Sequence, residues 1–407
     1  MNNSTVSKHI PVLDGLRFFA AFSVLLAHYT HWIINDQGIS NDASTVIGEL
    51  SALGMALFFC LSGFVIHYNY HDISRVPSGR TQFLIARFTR LYPLFLVLFI
   101  MEFCSSFYYH RGSCGLAGER WGYFLALPYY LMFTQSWVYG VICNNSLPYQ
   151  YHMVSAVTWS LSVEAFFYII YILCGGWLRR QDNALKQMAL AGIVYLFGVG
   201  CLLLIERETA LIEHVGLVAF GPVATAQHGY QDSLLRWLEY FNPVINLPAF
   251  FCGAVAANIY LLQQTRPMGP QEQTWAHSLV ALSLVAVLAT HFWLYSALAP
   301  THGFIGRTAS MLYIPLVAFL VYGLARYPDS FCARVIGCTL LVKLGETSYS
   351  IYLLHAFFGW NARDFYYLKL NPWVLWAIAI CCLLAISRCS YLWFERPVQR
   401  WLRRQMF

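Results

Sequence analysis

A series of apolar runs of about twenty residues, each long enough to cross a bilayer as a helix, constrains this chain more than any other feature. Ten are clear: residues 12–33, 50–70, 88–109, 157–178, 186–205, 243–263, 275–298, 309–325, 344–361 and 371–394. Two weaker stretches, 121–141 and 211–225, are interrupted by Pro128 and by Gly221-Pro222, and read as interfacial or re-entrant pieces, with an extra span as the alternative for either. Only 11% of the residues are charged and 58% are hydrophobic, against about 25% charged in soluble domains. So little charge cannot cover a soluble core of this size. The expected fold is therefore all-α, a polytopic transmembrane helical bundle of about ten spans. Disorder, nucleic-acid binding and a secreted disulfide scaffold are excluded for the bulk of the chain. Cys60, Cys174, Cys252, Cys381 and Cys382 lie inside the apolar runs and read as small core residues. The first run continues to spanning length, so the N-terminus is expected to be retained rather than cleaved as a signal peptide.

Basic residues orient the bundle. With the N-terminus on the cytoplasmic side, eighteen of the 25 Lys and Arg fall on that side of the ten spans, as the positive-inside rule requires. Both termini are then cytoplasmic. The chain reads as a single membrane domain over 1–407, with its core at 11–397 and no appended soluble domain.

Hydropathy does not separate a transporter, a channel, a scaffold and an intramembrane enzyme. Ionisable residues inside the spans must do so, because each costs at least ~2.5–3.5 kcal/mol there and is usually functional. In the first span, Arg17 and His28 are eleven residues apart, about three turns and about 16 Å along the axis, so they share one face, with Asp14 a turn before Arg17. Arg17 alone would serve as a snorkelling anchor and His28 alone as a packing residue. Their shared face favours a lined path from the cytoplasm to the outer half. Arg87 and Arg90 stand a turn apart at the expected start of the third span, where Pro93 fits a helix beginning. Paired guanidinium forks suit phosphates, although an isolated pair also fits plain positive-inside anchoring. Glu164 in the fourth span shares a face with Ser160 and Tyr168. A buried carboxylate must be paired or neutralised, and His28, at similar depth, is its expected partner; a packing hydrogen bond is the alternative.

Other polar residues are weaker signals. Ser348, Tyr352 and His355 share a face of the ninth span. Arg400, Arg403 and Arg404 read as a membrane-surface anchor, and Glu395 and Arg396 meet the cytoplasmic boundary. His67 and His71 are one turn apart, but no third ligand accompanies them, so no metal is expected. Asn144-Asn145-Ser146 fits a glycosylation acceptor, a pattern frequent by chance. Ser62-Gly63 reads as a helix-packing step rather than a nucleophile. Hydrolase-elbow, P-loop, dinucleotide and zinc-helix motifs are absent from the sequence.

Taken together, LDGLRFFAAFSVLLAHY, LFFCLSGFVI, RFTRLYPL, TWSLSVEAFFY, LGETSYSIYLLH and WFERP, in this order from residue 11 to 397, resemble the acyltransferase 3 family of integral membrane acyltransferases. The Arg-x10-His pair (Arg17, His28), the R-x-x-R pair (Arg87, Arg90) and W-S-L-x-x-E (Trp159 to Glu164) are all present; Ala165 replaces a second acidic residue found in many members. The resemblance implies transfer of an acyl group, most often acetyl, from a cytoplasmic donor such as acetyl-CoA to a hydroxyl. Family acceptors include surface polysaccharides, lipopolysaccharide, exopolysaccharide and peptidoglycan, and small molecules such as macrolides. Some members carry an appended extracytoplasmic domain, so a chain without it either completes transfer alone or works with polysaccharide-assembly partners. Expected roles follow. Arg87 and Arg90, helped by Arg17, hold the CoA phosphates; His28 acts as general base; Glu164 orients the imidazole; and Tyr352 and His355 line the acceptor side. The implied location is the bacterial cytoplasmic (inner) membrane, in contact with its lipids. The competing class is a secondary transporter, whose sites usually use broken helices and repeated halves.

Overall fold

The computed structural model describes residues 9–36, 46–72, 78–109, 115–149, 155–264, 266–298, 308, 310–362 and 370–406. The described chain is helical almost throughout. In order it forms α1 (Pro11–Asp36), α2 (Leu50–Tyr70), α3 (Gly79–Tyr109), α4 (Gly115–Leu131), α5 (Ser155–Arg179), α6 (Ala184–Arg207), α7 (Thr209–Phe220), α8 (Pro243–Gln263), α9 (Pro270–Trp293), α10 (Ser310–Arg326), α11 (Phe331–Ile336), α12 (Thr339–Glu346), α13 (Ser348–Ala362), α14 (Pro372–Ser390) and α15 (Arg396–Met406). One two-stranded antiparallel hairpin, β1 (Val141–Ile142) with β2 (Asn145–Ser146), interrupts the pattern.

Among the described residues, eight helices are long and apolar enough to cross a membrane. The chain is a polytopic helical membrane protein. The two remaining expected spans fold as shorter helices, α10 with 17 residues and α13 with 15. The run 344–361 is divided because α12 ends at Glu346 and the Thr347 hydroxyl donates to the Leu344 carbonyl at 2.7 Å. The weaker stretches are helical in part, 121–141 as far as Leu131 and 211–225 as far as Phe220, the latter followed by a 3-10 turn at Pro222–Ala224. Gly221, at φ 84°, ends α7 where the sequence indicated, because only glycine takes that backbone without strain. Pro128, by contrast, lies within α4, and the chain turns only at Phe133, at φ 54°. Of the basic residues used for orientation, Lys8, Arg75, Arg111, Arg307, Arg363 and Lys369 lie outside the described residues.

One correction bears directly on function. α3 begins at Gly79, so Pro93 is internal to it rather than in its first turn. Arg87 and Arg90 therefore sit about 12 and 16 Å along the helix from its start, at 1.5 Å per residue. They are helix-interior arginines, not residues of a helix entrance.

Backbone packing groups the chain into two compact units, each discontinuous in sequence: Met1–Phe83, Ile172–Tyr195 and Pro248–Ser348 in the first, and Leu84–Tyr171, Leu196–Leu247 and Tyr349–Phe407 in the second. In the first unit α1 packs on α2 and α12, α2 on α10, and α10 on α9. Leu16, Leu57, Phe64, Val317 and Leu320 are among the residues of its apolar core. Ser62-Gly63 is the close-packing step that the sequence indicated. A methyl group on Gly63 would lie 1.9 Å from the Phe250 carbonyl oxygen, and one on Gly253 2.0 Å from that of Cys60. Small residues let helix backbones approach in this way. Gly253→Val is accordingly expected to force α2 and α8 apart, at a cost of about 1–3 kcal/mol or more. Thermal unfolding followed by size-exclusion chromatography in detergent measures this; an unchanged transition would show that the crossing tolerates a side chain.

In the second unit α3 and the α4 region are joined by aromatic rings. Phe99 stacks on Tyr130, with centroids 5.5 Å apart, and Phe95 meets Phe133 at 4.6 Å. The hairpin is tied down by Asp232, whose Oδ1 accepts from the Ser146 amide at 2.7 Å and from its hydroxyl at 2.8 Å. Ser146 of the glycosylation pattern is thus a buried structural residue.

Candidate active site

Arg17 and His28 belong to the first unit. His28 is exposed on α1, while Arg17 is half-buried. Arg17 Nη1 donates to Asp14 Oδ1 at 2.6 Å, and His9 Nε2 meets the other carboxylate oxygen at 2.5 Å. Asp14 thus offsets the Arg17 charge within the same helix.

His67 and His71 are engaged by their own neighbours. His67 is fully buried and donates from Nε2 to Asn258 Oδ1 at 3.1 Å. Asn258 Nδ2 in turn lies 3.0 Å from the Leu178 carbonyl near the end of α5 and 3.0 Å from Gln187 Oε1 of α6. His71 Nδ1 lies 3.1 Å from the Tyr68 carbonyl, and its Nε2 lies 3.3 Å from Asp72. Among the described residues, no three His, Cys, Asp or Glu side chains converge.

The other sequence-derived residues gather in the second unit. Glu164 and Tyr168, one turn apart on α5, are hydrogen-bonded to each other, and Arg87 and Arg90 of α3 lie within electrostatic reach of the Tyr168 hydroxyl. Arg87 and Tyr168 line a cavity of about 480 Å³ with Phe88, Phe133, Trp137 and Ala165. That volume lies in the range of small-molecule sites. Its walls are apolar apart from the guanidinium and the phenol. The α5 periodicity places Glu164 and Tyr168 on one face. Ala165, on the same helix, adds no charge to this wall.

Near this cluster, the Tyr352 hydroxyl donates to the Val157 carbonyl at 2.9 Å and lies 2.8 Å from Ser160 Oγ. His355 is buried and donates from Nδ1 to the Tyr352 carbonyl at 2.5 Å. That bond leaves Nε2 as the basic nitrogen of the neutral ring. The expected His28–Glu164 pair joins residues of different units, whereas within the second unit it is Tyr168 that engages Glu164.

Sequence reasoning missed Tyr349 and Ser350 and left Glu395 without a role. Tyr349, buried, donates its hydroxyl to the Leu91 carbonyl, and Ser350 donates to Glu395 Oε1. Charge interactions link Tyr349 with Glu164, Tyr168, Arg90 and Glu395. A tyrosine in an apolar run gives no signal of its own. The available clue was Glu395, a carboxylate at the end of a span.

Comparison with known proteins identifies the family of the chain. The family described as an acyltransferase domain matches residues 10–391. The chain is 26% identical to acyltransferase MdmB of Streptomyces mycarofaciens, over 85% of this chain and 78% of that protein. It is 25% identical to nodulation protein 10 of Rhizobium leguminosarum bv. viciae, over 98% and 96%. It is 22% identical to O-acetyltransferase OatA of Staphylococcus aureus over 97% of this chain, which spans 58% of OatA's length. No solved structure matches. With a helical membrane fold and a family match over nearly its whole length, the chain belongs to the acyltransferase 3 family and is a membrane acyltransferase.

Proposed function

We propose that this enzyme moves an acyl group, acetyl by preference, from cytoplasmic acyl-CoA to a hydroxyl of an extracytoplasmic or membrane-associated glycan, in the bacterial cytoplasmic membrane. The observation that carries the reading is the arginine pair of α3. Arg87 lines the second unit's cavity beside Tyr168, and Arg90, one turn further along α3, lies within electrostatic reach of the same hydroxyl. Two permanently charged forks one turn apart suit the phosphates of CoA. The name O-acetyltransferase, carried by OatA, supports acetyl and oxygen as the transferred group and the acceptor atom.

The chemistry needs one base. An acceptor O–H attacks the thioester carbonyl, the C–O bond forms and the C–S bond breaks. His28 takes the hydroxyl proton and returns it to the departing thiolate. Arg87 and Arg90 hold the donor while this happens, and Glu164 is the carboxylate proposed to stabilise the imidazolium. Tyr352 and His355 are assigned to the acceptor side.

The test is purified protein in lipid vesicles, given acetyl-CoA labelled in the acetyl group together with either an extracted surface glycan or a macrolide. Label is expected in the glycan as a base-labile ester. Label only in the macrolide would replace the acceptor class, and label in neither, with solute accumulating in the vesicles, would favour a transporter.

A further inference from the structure

A cavity of about 470 Å³ between α6, α8 and α10 is lined entirely by residues of the first unit. Two contacts set α6 and α8 antiparallel along it: Cys252 Sγ lies 4.0 Å from the Ala191 carbonyl oxygen, and Asn258 Nδ2 lies 3.0 Å from Gln187 Oε1. The wall from Ala184 to Tyr195 therefore runs opposite the wall from Gln263 back to Cys252. Such a length of helix rises about 16 Å, close to the half of a ~30 Å hydrocarbon core that one leaflet fills. Small residues make the space. Ala191, Ala256 and Ala318 line it, and a methyl group on Gly192 would meet nothing within 4 Å. Met188 and Phe319 line it yet stay exposed, so it opens sideways as a groove. Polar side chains stand only at its ends, where the Tyr322 hydroxyl donates to Gln263 Oε1 at one of them. Water needs two to four polar partners, and the middle of the groove offers its side chains none. Its occupant is hydrocarbon.

The Gln263–Tyr322 end is also the charged one. Arg326 Nη1 donates to the Gln263 carbonyl at 3.0 Å, and its Nη2 lies 3.2 Å from Glu272, which offsets that charge. The segments beside this end, 180–186 and 264–266, carry Arg180, Lys186 and Arg266 against one acid, Asp182. All four of these side chains are exposed. We propose that the groove holds one acyl chain of an anionic phospholipid, with the headgroup phosphate at the Arg180, Lys186 and Arg266 end. Basic sites between helices at the membrane boundary bind anionic headgroups, and long basic side chains reach them from the edge of the hydrocarbon. A groove one leaflet deep with a basic rim fits a lipid chain that carries a phosphate at its end. Left empty, it would forfeit dispersion contacts along its walls. The site is separate from the arginine pair of α3 and does not depend on the acyl-transfer reading.

The experiment offers the full chain in detergent equal amounts of phosphatidylglycerol and phosphatidylcholine with the same acyl chains, and counts bound lipid by native mass spectrometry. One retained phosphatidylglycerol per chain is expected, preferred about tenfold, the scale set by one to two net basic charges beside an anionic headgroup. Gly192→Phe, which fills the groove, should abolish that retention while the protein keeps its size-exclusion profile. Lys186→Gln with Arg266→Gln leaves Arg180 balanced by Asp182, so a lipid should still bind but with a preference near one. If Gly192→Phe fails to fold, Ala318→Leu fills the groove from the α10 wall and takes its place. Wild-type protein that retains no lipid, or retains both lipids equally, would overturn the proposal. So would undiminished phosphatidylglycerol in the filled groove, or an undiminished preference in the charge variant. Displacement of phosphatidylglycerol by an equal amount of a polyprenyl phosphate would overturn it too, because the occupant would then be an isoprenoid.

Discussion

His28→Gln is expected to slow acyl transfer by about 10²–10⁴-fold, the usual worth of a general base, while acyl-CoA still binds. Glutamine keeps a neutral polar group of similar reach but takes no proton. His28→Ala should be as inactive. Binding survives because the arginine pair assigned to the phosphates lies on α3, while His28 is an exposed residue of α1. Neither substitution places a charge or a large side chain in the core, so folding should be preserved. Turnover by rapid mixing and donor binding by calorimetry separate the two effects. Near-normal turnover in a folded His28→Gln protein would move the base elsewhere, and His355 would be next, since its Nδ1 bond already presents Nε2 as the basic nitrogen.

The arginine pair carries the second large effect. Charge-assisted hydrogen bonds are worth about 1.5–3 kcal/mol each, so Arg87→Ala and Arg90→Ala should each weaken acyl-CoA binding about 10- to 150-fold, at 1.4 kcal/mol per decade. Lysine at either position should rescue poorly, because an ammonium lacks the planar fork. The two losses need not add, since both arginines act on the same cluster around Tyr168. Undiminished affinity in both alanine variants would leave the pair as anchors alone.

Much of this was legible in the sequence because the bilayer imposes a length on every span. Eight of the expected runs appear as long apolar helices. The misplacements have local causes. Residues 79–87 are too polar to register as a span, yet they continue α3 through Arg80 and Arg87. Thr347 divides the 344–361 run through a side-chain bond that hydropathy does not register. Pro128 stayed inside α4, where it had been read as a break. For the site, helical spacing was enough to place Glu164 beside Tyr168. Spacing within one helix could not reveal that Tyr349 and Ser350 bridge α3 to Glu395, since those contacts join residues 258 and 45 positions apart. Spacing set Asp14 a turn before Arg17, but it did not show that the two side chains pair at 2.6 Å.

The central claim is that Arg87 and Arg90 anchor the donor through its phosphates. Calorimetric affinities for acetyl-CoA and for S-acetylpantetheine, which keeps the thioester arm but has no phosphate, test it most directly. Wild-type protein is expected to prefer acetyl-CoA by at least about 10²-fold, as two lost charge-assisted interactions require. The Arg87→Ala/Arg90→Ala protein should bind both ligands with similar weak affinity. A double variant that kept the full preference for acetyl-CoA would contradict the account, because the phosphates would then be held elsewhere.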